Sequence, residues 1–222
     1  MSIAVALDGP AGAGKSSIAK RAAKELGYIY VDTGALYRTI GLAATRAHIA
    51  PSDSPEVDVL LKKIKVELTF NELGEQVVLL NGEDVSGEIR TPEASMTASK
   101  ISAIPNVRAY LLDLQRDMAK SHDVIMDGRD IGTVVLPDAQ VKIFLTASPE
   151  ARAGRRYKEL IEKGMSVKYE DILSDVIERD YNDTHRETAP LKAADDSVTV
   201  DTTELDFEQS VEAVINVIKE KI

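Results

Sequence analysis

The chain has 222 residues, 44% of them hydrophobic, which is enough to bury a substantial core as one domain or as one domain with an insertion. The formal net charge of −10 argues against a nucleic-acid-binding surface, which requires a basic face. There is no cysteine, which excludes disulfides, thiolate metal sites and cysteine nucleophiles and fits a cytoplasmic location. No apolar run of about 18 residues is present, so we expect no membrane span. Because Ser2 and Ile3 lead directly into the first predicted strand, we expect no signal peptide.

A glycine-rich loop between a strand and a helix is the first motif of the chain. Ile3–Leu7 predicts a buried strand, and the apolar repeat within Lys15–Leu26 predicts a helix. The loop between them matches G-x-x-x-x-G-K-[ST] at every fixed position. Such a loop directs backbone N–H groups and a helix N-terminus at phosphate, while Lys15 reaches the outer phosphates and Ser16 offers a hydroxyl to Mg²⁺.

The loop therefore predicts a site for a nucleoside triphosphate, and the alternative is a glycine-rich turn that binds nothing. The predicted donor site consists of Gly9, Pro10, Ala11, Gly12, Ala13, Gly14, Lys15, Ser16 and Ser17.

A second strand is predicted at Tyr28–Val31, followed by a helix that runs to about Arg46 with Thr33 as its N-cap. The carboxyl ends of strands in an α/β sheet are where ligands bind. Arg38 lies about one turn into this helix, so we expect it to contact a second ligand. The alternative for Arg38 is a solvated helix arginine.

Between about residues 60 and 90 the pattern changes to one typical of antiparallel strands. The predicted elements are a short helix at Glu56–Lys63, strands at Val66–Phe70 and Gln76–Leu80, a turn at Asn81 and Gly82, and a third short strand within 84–89. We interpret this segment as a small inserted sheet that forms a lobe of its own, with residues 1–59 and 91–222 as the core.

Two helices follow the predicted insertion. Thr91 and Pro92 are typical of a helix start, and this helix should run to about Ala103 with Ser99 in its later part. The next helix begins at Pro105. It carries Arg108 in its first turn, where positive charge is locally unfavourable. That position indicates an anionic or hydrogen-bonding partner for Arg108, and the alternative is an exposed arginine.

The strand predicted at Val124–Met126 ends in a charged run. The run Asp127–Asp130 contains two carboxylates, and carboxylates at the end of a strand in a phosphate-loop protein can orient Mg²⁺ waters. Arg129 can neutralise a transferred phosphate, and Asp130 can accept a hydrogen bond from an amino group.

After a strand at Val141–Leu145, a helix is predicted from Ser148 to Gly164. Arg152, Arg155 and Arg156 share one face of it. A phosphate between these arginines would relieve their repulsion, and the alternative is pairing with Glu150 or Glu159.

The helix predicted at about 169–186 changes character along one face. Ile172 and Val176 mark a core-facing stripe that continues as Arg179, Asp183 and Arg186. Inward-pointing charges are costly unless they are paired. Either these residues line a polar cleft, which we favour, or Arg179 pairs with Asp183.

A last strand at Ser197–Val200 precedes a helix with a capping signature at Asp206 and Gln209. The alternation of β and α elements along the chain predicts an α/β fold with a parallel sheet and helices on both faces. One phosphate loop together with many arginines suits transfer between two anionic molecules, because phosphoryl transfer depends mainly on positioning and positive charge. This points to a nucleoside monophosphate kinase rather than a sugar kinase.

The sequence resembles the bacterial cytidylate kinase family over nearly its whole length. The matching segments are 8–16 around the phosphate loop, 32–38, 82–91, 127–135, 141–145 and 179–183. The resemblance implies Mg²⁺-dependent transfer from ATP to CMP or dCMP, with the inserted sheet in the monophosphate-binding lobe and residues of about 155–166 as a helical lid. It also implies small-molecule substrates only, with no nucleic acid or membrane partner, and we expect a monomer.

The resemblance also assigns roles to residues. Ser99, Arg108 and Asp130 would contact the cytosine edge, Arg179 and Asp183 the ribose, and Arg38, Arg129 and Arg186 the phosphate, with Thr33 beside them. The implied catalytic set is Lys15, Arg129, Arg152, Arg155, Arg156 and Arg186, with Ser16 as the metal ligand.

Two other classes remain as alternatives. One is another small-molecule kinase, of a shikimate or adenylate type, against which the inserted sheet and the run Asp127–Asp130 both argue. The other is a regulatory nucleotide-binding module without catalysis, which would not explain the inward charges of the 169–186 helix.

Overall fold

The structure is a computed structural model that describes residues 2–222. In chain order its elements are β1 (Ala4–Asp8), α1 (Lys15–Leu26), β2 (Ile29–Asp32), α2 (Thr33–Arg46), α3 (Pro55–Lys63), β3 (Val66–Phe70), β4 (Gln76–Leu80), β5 (Glu83–Asp84), α4 (Pro92–Ile101), α5 (Pro105–Ser121), β6 (Val124–Gly128), a π-helical turn (Ile131–Val135), β7 (Val141–Thr146), α6 (Pro149–Glu162), α7 (Tyr169–His185), β8 (Val198–Asp201) and α8 (Phe207–Lys221).

The central sheet is parallel, with the strand order β2-β6-β1-β7-β8. Its strands are apolar on both faces, as expected for a sheet covered by helices on each side. Val5 and Leu7 face a core cluster with α1 and α8, whereas Ala4 and Ala6 face a cluster with α5 and the π-helical turn. The predicted α/β fold with helices on both faces is confirmed.

The register of the sheet brings three carboxylates to one edge. Asp32 at the end of β2 lies opposite Asp127 of β6, and Asp8 at the end of β1 lies opposite Gly128. This edge, where the phosphate loop also begins, is therefore the polar side of the sheet.

The inserted sheet has the order β3-β4-β5 and is antiparallel, as predicted. Its buried side chains belong to one core cluster that also contains residues of α2, α3, α4 and α5. The predicted third strand within 84–89 is wrong beyond Asp84. Val85 and Ile89 are buried at helical spacing, and the Ser86 hydroxyl takes the N–H of Val78 that a strand carbonyl would otherwise accept.

Three further local details differ from the predictions. The N-cap of α2 is Asp32, whose carboxylate accepts from the Ala35 N–H at 3.1 Å, because the Thr33 hydroxyl donates to the Asp127 carbonyl instead. Helix α7 ends at His185, one residue before Arg186. The π-helical turn was not predicted, since its first N–H groups are held by Asp8 from a strand distant in sequence.

Within residues 2–222, no helix combines the length and the apolar character needed to cross a bilayer.

Candidate active site

A cavity of about 660 Å³ opens along the carboxyl edge of the parallel sheet. It is bounded by the phosphate loop, the start of α2, α4, the segment after β6, and helices α6, α7 and α8. Nearly all predicted site residues line it. The exceptions are Gly9, Pro10 and Ala13, which are buried residues of the phosphate loop.

The phosphate loop is shaped by backbone conformations that favour glycine. Gly12 and Gly14 have φ of 75° and 88°, in the left-handed region. A Cβ on Gly9 would lie 1.9 Å from the Leu145 carbonyl oxygen, so only glycine fits between the loop and β7. Helix α1 begins directly after this loop and directs its N-terminus at the cavity.

Lys15 is buried, with 6% of its surface exposed, and its Nζ donates to the Pro10 carbonyl at 2.7 Å. Burial and the nearby Arg129 guanidinium lower the pKa of Lys15 to about 7, while Asp127 and Asp8 oppose that shift. The ammonium is thus held among opposing charges at the point where the loop would meet phosphate.

The Ser16 hydroxyl donates to the Asp127 carboxylate at 2.6 Å, which joins the loop to the end of β6. Burial, and then the neighbouring Asp32, raise the pKa of Asp127 to about 6. Burial also raises the pKa of Asp8 to about 6, although that carboxylate accepts two backbone N–H groups at 2.7 Å. A hydroxyl and a carboxylate in contact are the hard oxygen donors that Mg²⁺ prefers, so these residues fit that ion.

At the other end of the cavity, Arg108 forms a buried ion pair with Asp130. Arg186 lies 3.6 Å from the second oxygen of the same carboxylate. The predicted partner of Arg108 is therefore present, and the exposed alternative is wrong, because Arg108 is only 9% exposed. Burial raises the pKa of Asp130, and the two arginines oppose that shift.

The charged stripe of α7 lies on the cavity, which confirms the cleft interpretation. Asp183 pairs with Arg129 at 2.9 Å rather than with Arg179. Burial and the nearby Arg129 lower the pKa of Arg179, whose Nε is buried without a hydrogen-bond partner in the described part of the chain. Arg38 pairs with Asp32 at 2.7 Å, so it is not simply solvated.

The three arginines of α6 all reach the cavity but have different partners. Arg152 is only 2% exposed and donates to the carbonyls of Ala11 and Ala147 and to both carboxylate oxygens of Asp180. Arg155 donates to the Thr202 carbonyl. Arg156 pairs with Glu159 at 2.7 Å, so the pairing alternative holds for Arg156 and is wrong for the other two arginines.

Several cavity residues were missed from the sequence. Ser95 on α4 and Ser102, which caps the end of α4, lie at helical spacing from the predicted Ser99, and this pattern could have identified them. Ser102 accepts from Arg186 through its hydroxyl and from Arg108 through its carbonyl, both at 3.2 Å. The capping signature at Asp206 located the start of α8, but no sequence pattern indicated that this region lines the cavity, through Leu205, Asp206, Phe207 and Ser210.

The family model described as "Cytidylate kinase" matches residues 5–220 of this chain. The chain belongs to the cytidylate kinase family. The family resemblance of the sequence motifs is thereby confirmed. A cytidylate kinase of Thermosipho melanesiensis is 47% identical over 217 residues, covering 98% of this chain and 97% of the relative. One of Lactobacillus gasseri is 50% identical over 217 residues, covering 98% of this chain and 94% of the relative.

Among solved structures, an uncharacterized protein from Eubacterium ventriosum superposes with a TM-score of 0.54 at 11% identity, covering 98% of this chain and 99% of that one. This likeness concerns the fold alone. Membership of the cytidylate kinase family therefore rests on the sequence, whereas the cavity shows how the predicted site residues are arranged.

Proposed function

We propose that this protein transfers the γ-phosphoryl group of ATP to CMP or dCMP, giving ADP and CDP or dCDP. One observation supports the proposal most directly. In a chain of the cytidylate kinase family, a single cavity joins the phosphate loop at one end to a buried Arg108–Asp130 pair at the other.

The donor would place its phosphates on the loop of residues 9–17. Lys15 would exchange its bond to the Pro10 carbonyl for phosphate oxygens. Ser16 and Asp127 would hold Mg²⁺, which supplies positive charge to the phosphates and orients them when bound. Arg155 and Arg156, on the predicted lid of residues 155–166, would contact the donor from the opposite wall, and closure of this lid would exclude water.

The acceptor would place its base against Asp130, Arg108 and Ser99. Cytosine carries an amino group that donates, where uracil carries a carbonyl that accepts. The Asp130 carboxylate accepts from the cytosine amino group and repels the uracil carbonyl, while Arg108 donates to ring acceptors. Because Asp130 is buried, uracil would leave its carboxylate without the hydrogen bond that the cytosine amino group donates, and this loss discriminates against uracil.

In the transfer step, an oxygen of the acceptor phosphate forms a bond to the γ-phosphorus as the bond to the β,γ-bridging oxygen breaks. Negative charge develops on the transferring group and on the leaving oxygen. Lys15, Arg129 and Arg186, which line the cavity, would stabilise that charge, while Arg38 would bind the acceptor phosphate with Thr33 beside it. Arg179 and Asp183 would orient the acceptor sugar.

Arg152, which belongs to the predicted catalytic set, would act by holding other parts of the site in place, because its guanidinium is already bound to protein groups. Four of its N–H donations are already made, two to carbonyl oxygens and two to Asp180. We therefore propose that it fixes the phosphate loop against α6 and α7. We further propose that the protein is a monomer and that it acts in the cytoplasm; the lack of cysteine is consistent with that location alone.

A coupled assay of ADP release tests the function. The purified protein is incubated with Mg²⁺-ATP and, in turn, CMP, dCMP, UMP, AMP and shikimate. We expect turnover with CMP and dCMP at least tenfold above that with UMP or AMP, and none with shikimate. ATP binding without turnover of any acceptor would contradict the proposal and support a regulatory module instead.

A further inference from the structure

Gln76, the first residue of β4, connects the inserted sheet to the catalytic sheet through a two-way hydrogen bond. Its Oε1 accepts from the backbone N–H of Asp32 at 2.8 Å, and its Nε2 donates to the Asp32 carbonyl at 3.1 Å. Since β2 is an edge strand, these backbone groups have no strand partner on that side. The Gln76 amide therefore takes the place of a neighbouring strand at the last residue of β2.

The side chain of Asp32 carries this connection into the cavity. One of its oxygens accepts from the Ala35 N–H at 3.1 Å, and the other accepts from Arg38 at 2.7 Å. The space is closely fitted, because a Cβ on Gly34 would lie 3.0 Å from the Arg38 Nη1 and 3.1 Å from Asp32 Oδ1. A shift of the Asp32 backbone would therefore move Arg38.

The inserted sheet itself does not reach the cavity. Of the side chains that the structure describes between positions 39 and 94, none lines it, although Arg38 does. An effect of this sheet on the acceptor passes either through the core that it shares with α2, α4 and α5 or through groups that contact the central sheet directly. The Gln76–Asp32 contact belongs to the second kind, and it leads through the Asp32 carboxylate directly to a cavity arginine. The exposed ion pair between Lys20 and Glu75 instead joins the residue before β4 to helix α1.

We propose that Gln76 is a positioning residue for the acceptor phosphate, which it controls by fixing Asp32 and thereby Arg38. The inference rests on the proposed function, and it assigns the inserted sheet a physical route of action on acceptor binding. Removing the amide leaves the Asp32 backbone groups to water and loosens Arg38, so the acceptor loses affinity while the donor site is unchanged.

The first test is Gln76→Ala, measured by steady-state kinetics. Loss of hydrogen bonds of this kind corresponds to about a three- to tenfold change. We expect the CMP KM to rise by about that factor, with the ATP KM within about twofold of wild type. The matched control is Gln140→Ala. The Gln140 side chain also accepts from a backbone group, the Ala4 N–H at 2.8 Å, but it does so at the amino end of β1, away from the cavity. The control should leave both KM values unchanged.

A double-mutant cycle tests whether the effect passes through Arg38. In an Arg38→Ala background, Gln76→Ala should change CMP binding, measured by calorimetry, by less than about twofold. Additive effects would contradict a role through Arg38.

Gln76→Glu keeps the inference testable if the alanine variant folds poorly. A protonated carboxyl has one donor and one acceptor and can make both bonds, whereas its ionised form only accepts and faces the Asp32 carbonyl. The charged groups around this position are Asp32, Arg38 and the Lys20–Glu75 pair. They are common to both proteins, so the variant is compared with wild type at each pH.

The introduced carboxyl is mainly protonated only near or below the ordinary Glu pKa of about 4.3. We therefore expect the CMP affinity of Gln76→Glu to approach that of wild type at about pH 4 and to be about three- to tenfold weaker at pH 8. If the ratio of the variant and wild-type CMP affinities did not change with pH, or if Gln76→Ala had wild-type kinetics, the role of Gln76 would be overturned while the proposed function stood. A wild-type protein that does not phosphorylate CMP would instead overturn the proposed function.

Discussion

Lys15 is deeply buried, and the negative charges around it do not fully offset the cost of burying its ammonium group. Burial and Arg129 disfavour its ammonium form, and the carboxylates of Asp8, Asp127 and Asp183 only partly compensate, which leaves a pKa of about 7. A triphosphate on the loop would add several negative charges beside Nζ. The pKa of Lys15 should therefore rise when ATP binds, and the side chain should take up a proton from solution above pH 7.

Replacement of this lysine provides the first prediction. Lys15→Ala should lower kcat by at least about 100-fold, because it removes a charge directed at the transferring group, while the far-UV spectrum remains that of wild type. In calorimetry at pH 8, using buffers of different ionisation enthalpy, wild type should take up protons on binding ATP and the variant should take up fewer.

Lys24→Ala is the matched control, since Lys24 is an exposed lysine on the same helix. It should retain both turnover and proton uptake. An unchanged kcat in Lys15→Ala would refute the role assigned to Lys15.

Single residues were predictable where their surroundings are set by local sequence. Arg38, Asp127 and Asp130 follow strand ends, so their place at the carboxyl edge follows from an alternating β/α pattern. The partners of Arg152 and Arg186 were not predictable, because Asp180 and Ser102 lie 28 and 84 positions away and meet them only through tertiary packing.

At the scale of elements, α2 and α4 pack against each other where α2 carries Gly41, which leaves no room for a Cβ. A Cβ there would lie 2.9 Å from Cγ2 of Thr97 on α4. The same helices carry Arg38 and Ser99 into the cavity. Their close approach therefore affects both the stability of the shared core and the width of the acceptor site.

Gly41→Ala should lower the free energy of unfolding even though alanine favours helix by about 1 kcal/mol over glycine. The overpacking penalty of about 1–3 kcal/mol is the larger effect. Urea denaturation should show a net loss of about 1 kcal/mol, and the CMP KM should rise as α4 moves outward.

Removing the opposing methyl group should reverse this effect. In a Thr97→Ser background the same substitution should be neutral or stabilising, because Cγ2 is gone. Equal destabilisation in both backgrounds would show that the contact with Thr97 is not the cause.

Elements were predicted well where periodicity is strong and poorly where a tertiary contact replaces a backbone bond. The bounds of α1, β3 and β4 agree with the predictions, because their apolar patterns extend over the whole element. The π-helical turn at Ile131–Val135 depends on Asp8, and the shortened β5 depends on Ser86, so neither follows from local pattern.

At the scale of the whole molecule, the acidic excess and the basic cavity are separated in space. The net charge is −10, yet the cavity gathers eight arginines, at 38, 108, 129, 152, 155, 156, 179 and 186. Beneath them, the sheet edge carries Asp8 and Asp127, whose burial is unfavourable for the charged form. The unliganded protein therefore maintains a polar site at a cost in stability.

That cost leads to a prediction about pH. The pKa of Asp127 is raised from 3.8 to about 6, so between these values the folded state binds the proton more tightly than the unfolded state. Stability from this group is thus greatest at low pH and is lost as the pH rises through about 4–6. Such a pKa shift corresponds to a loss of about 3 kcal/mol in the free energy of unfolding at high pH. A neutral side chain at position 127 would regain less than this, because it also loses the attraction to Lys15.

Asp127→Asn should therefore raise the free energy of unfolding by about 1–3 kcal/mol at pH 7.5 and by much less at pH 4, measured by urea denaturation without nucleotide. Asp138→Asn, at an exposed position, should have no effect at either pH. The same Asp127 variant should lose most of its turnover, because it lacks the carboxylate proposed to hold Mg²⁺ beside Ser16. Equal stability changes at both pH values would show that burial of the Asp127 charge does not limit the stability of the fold.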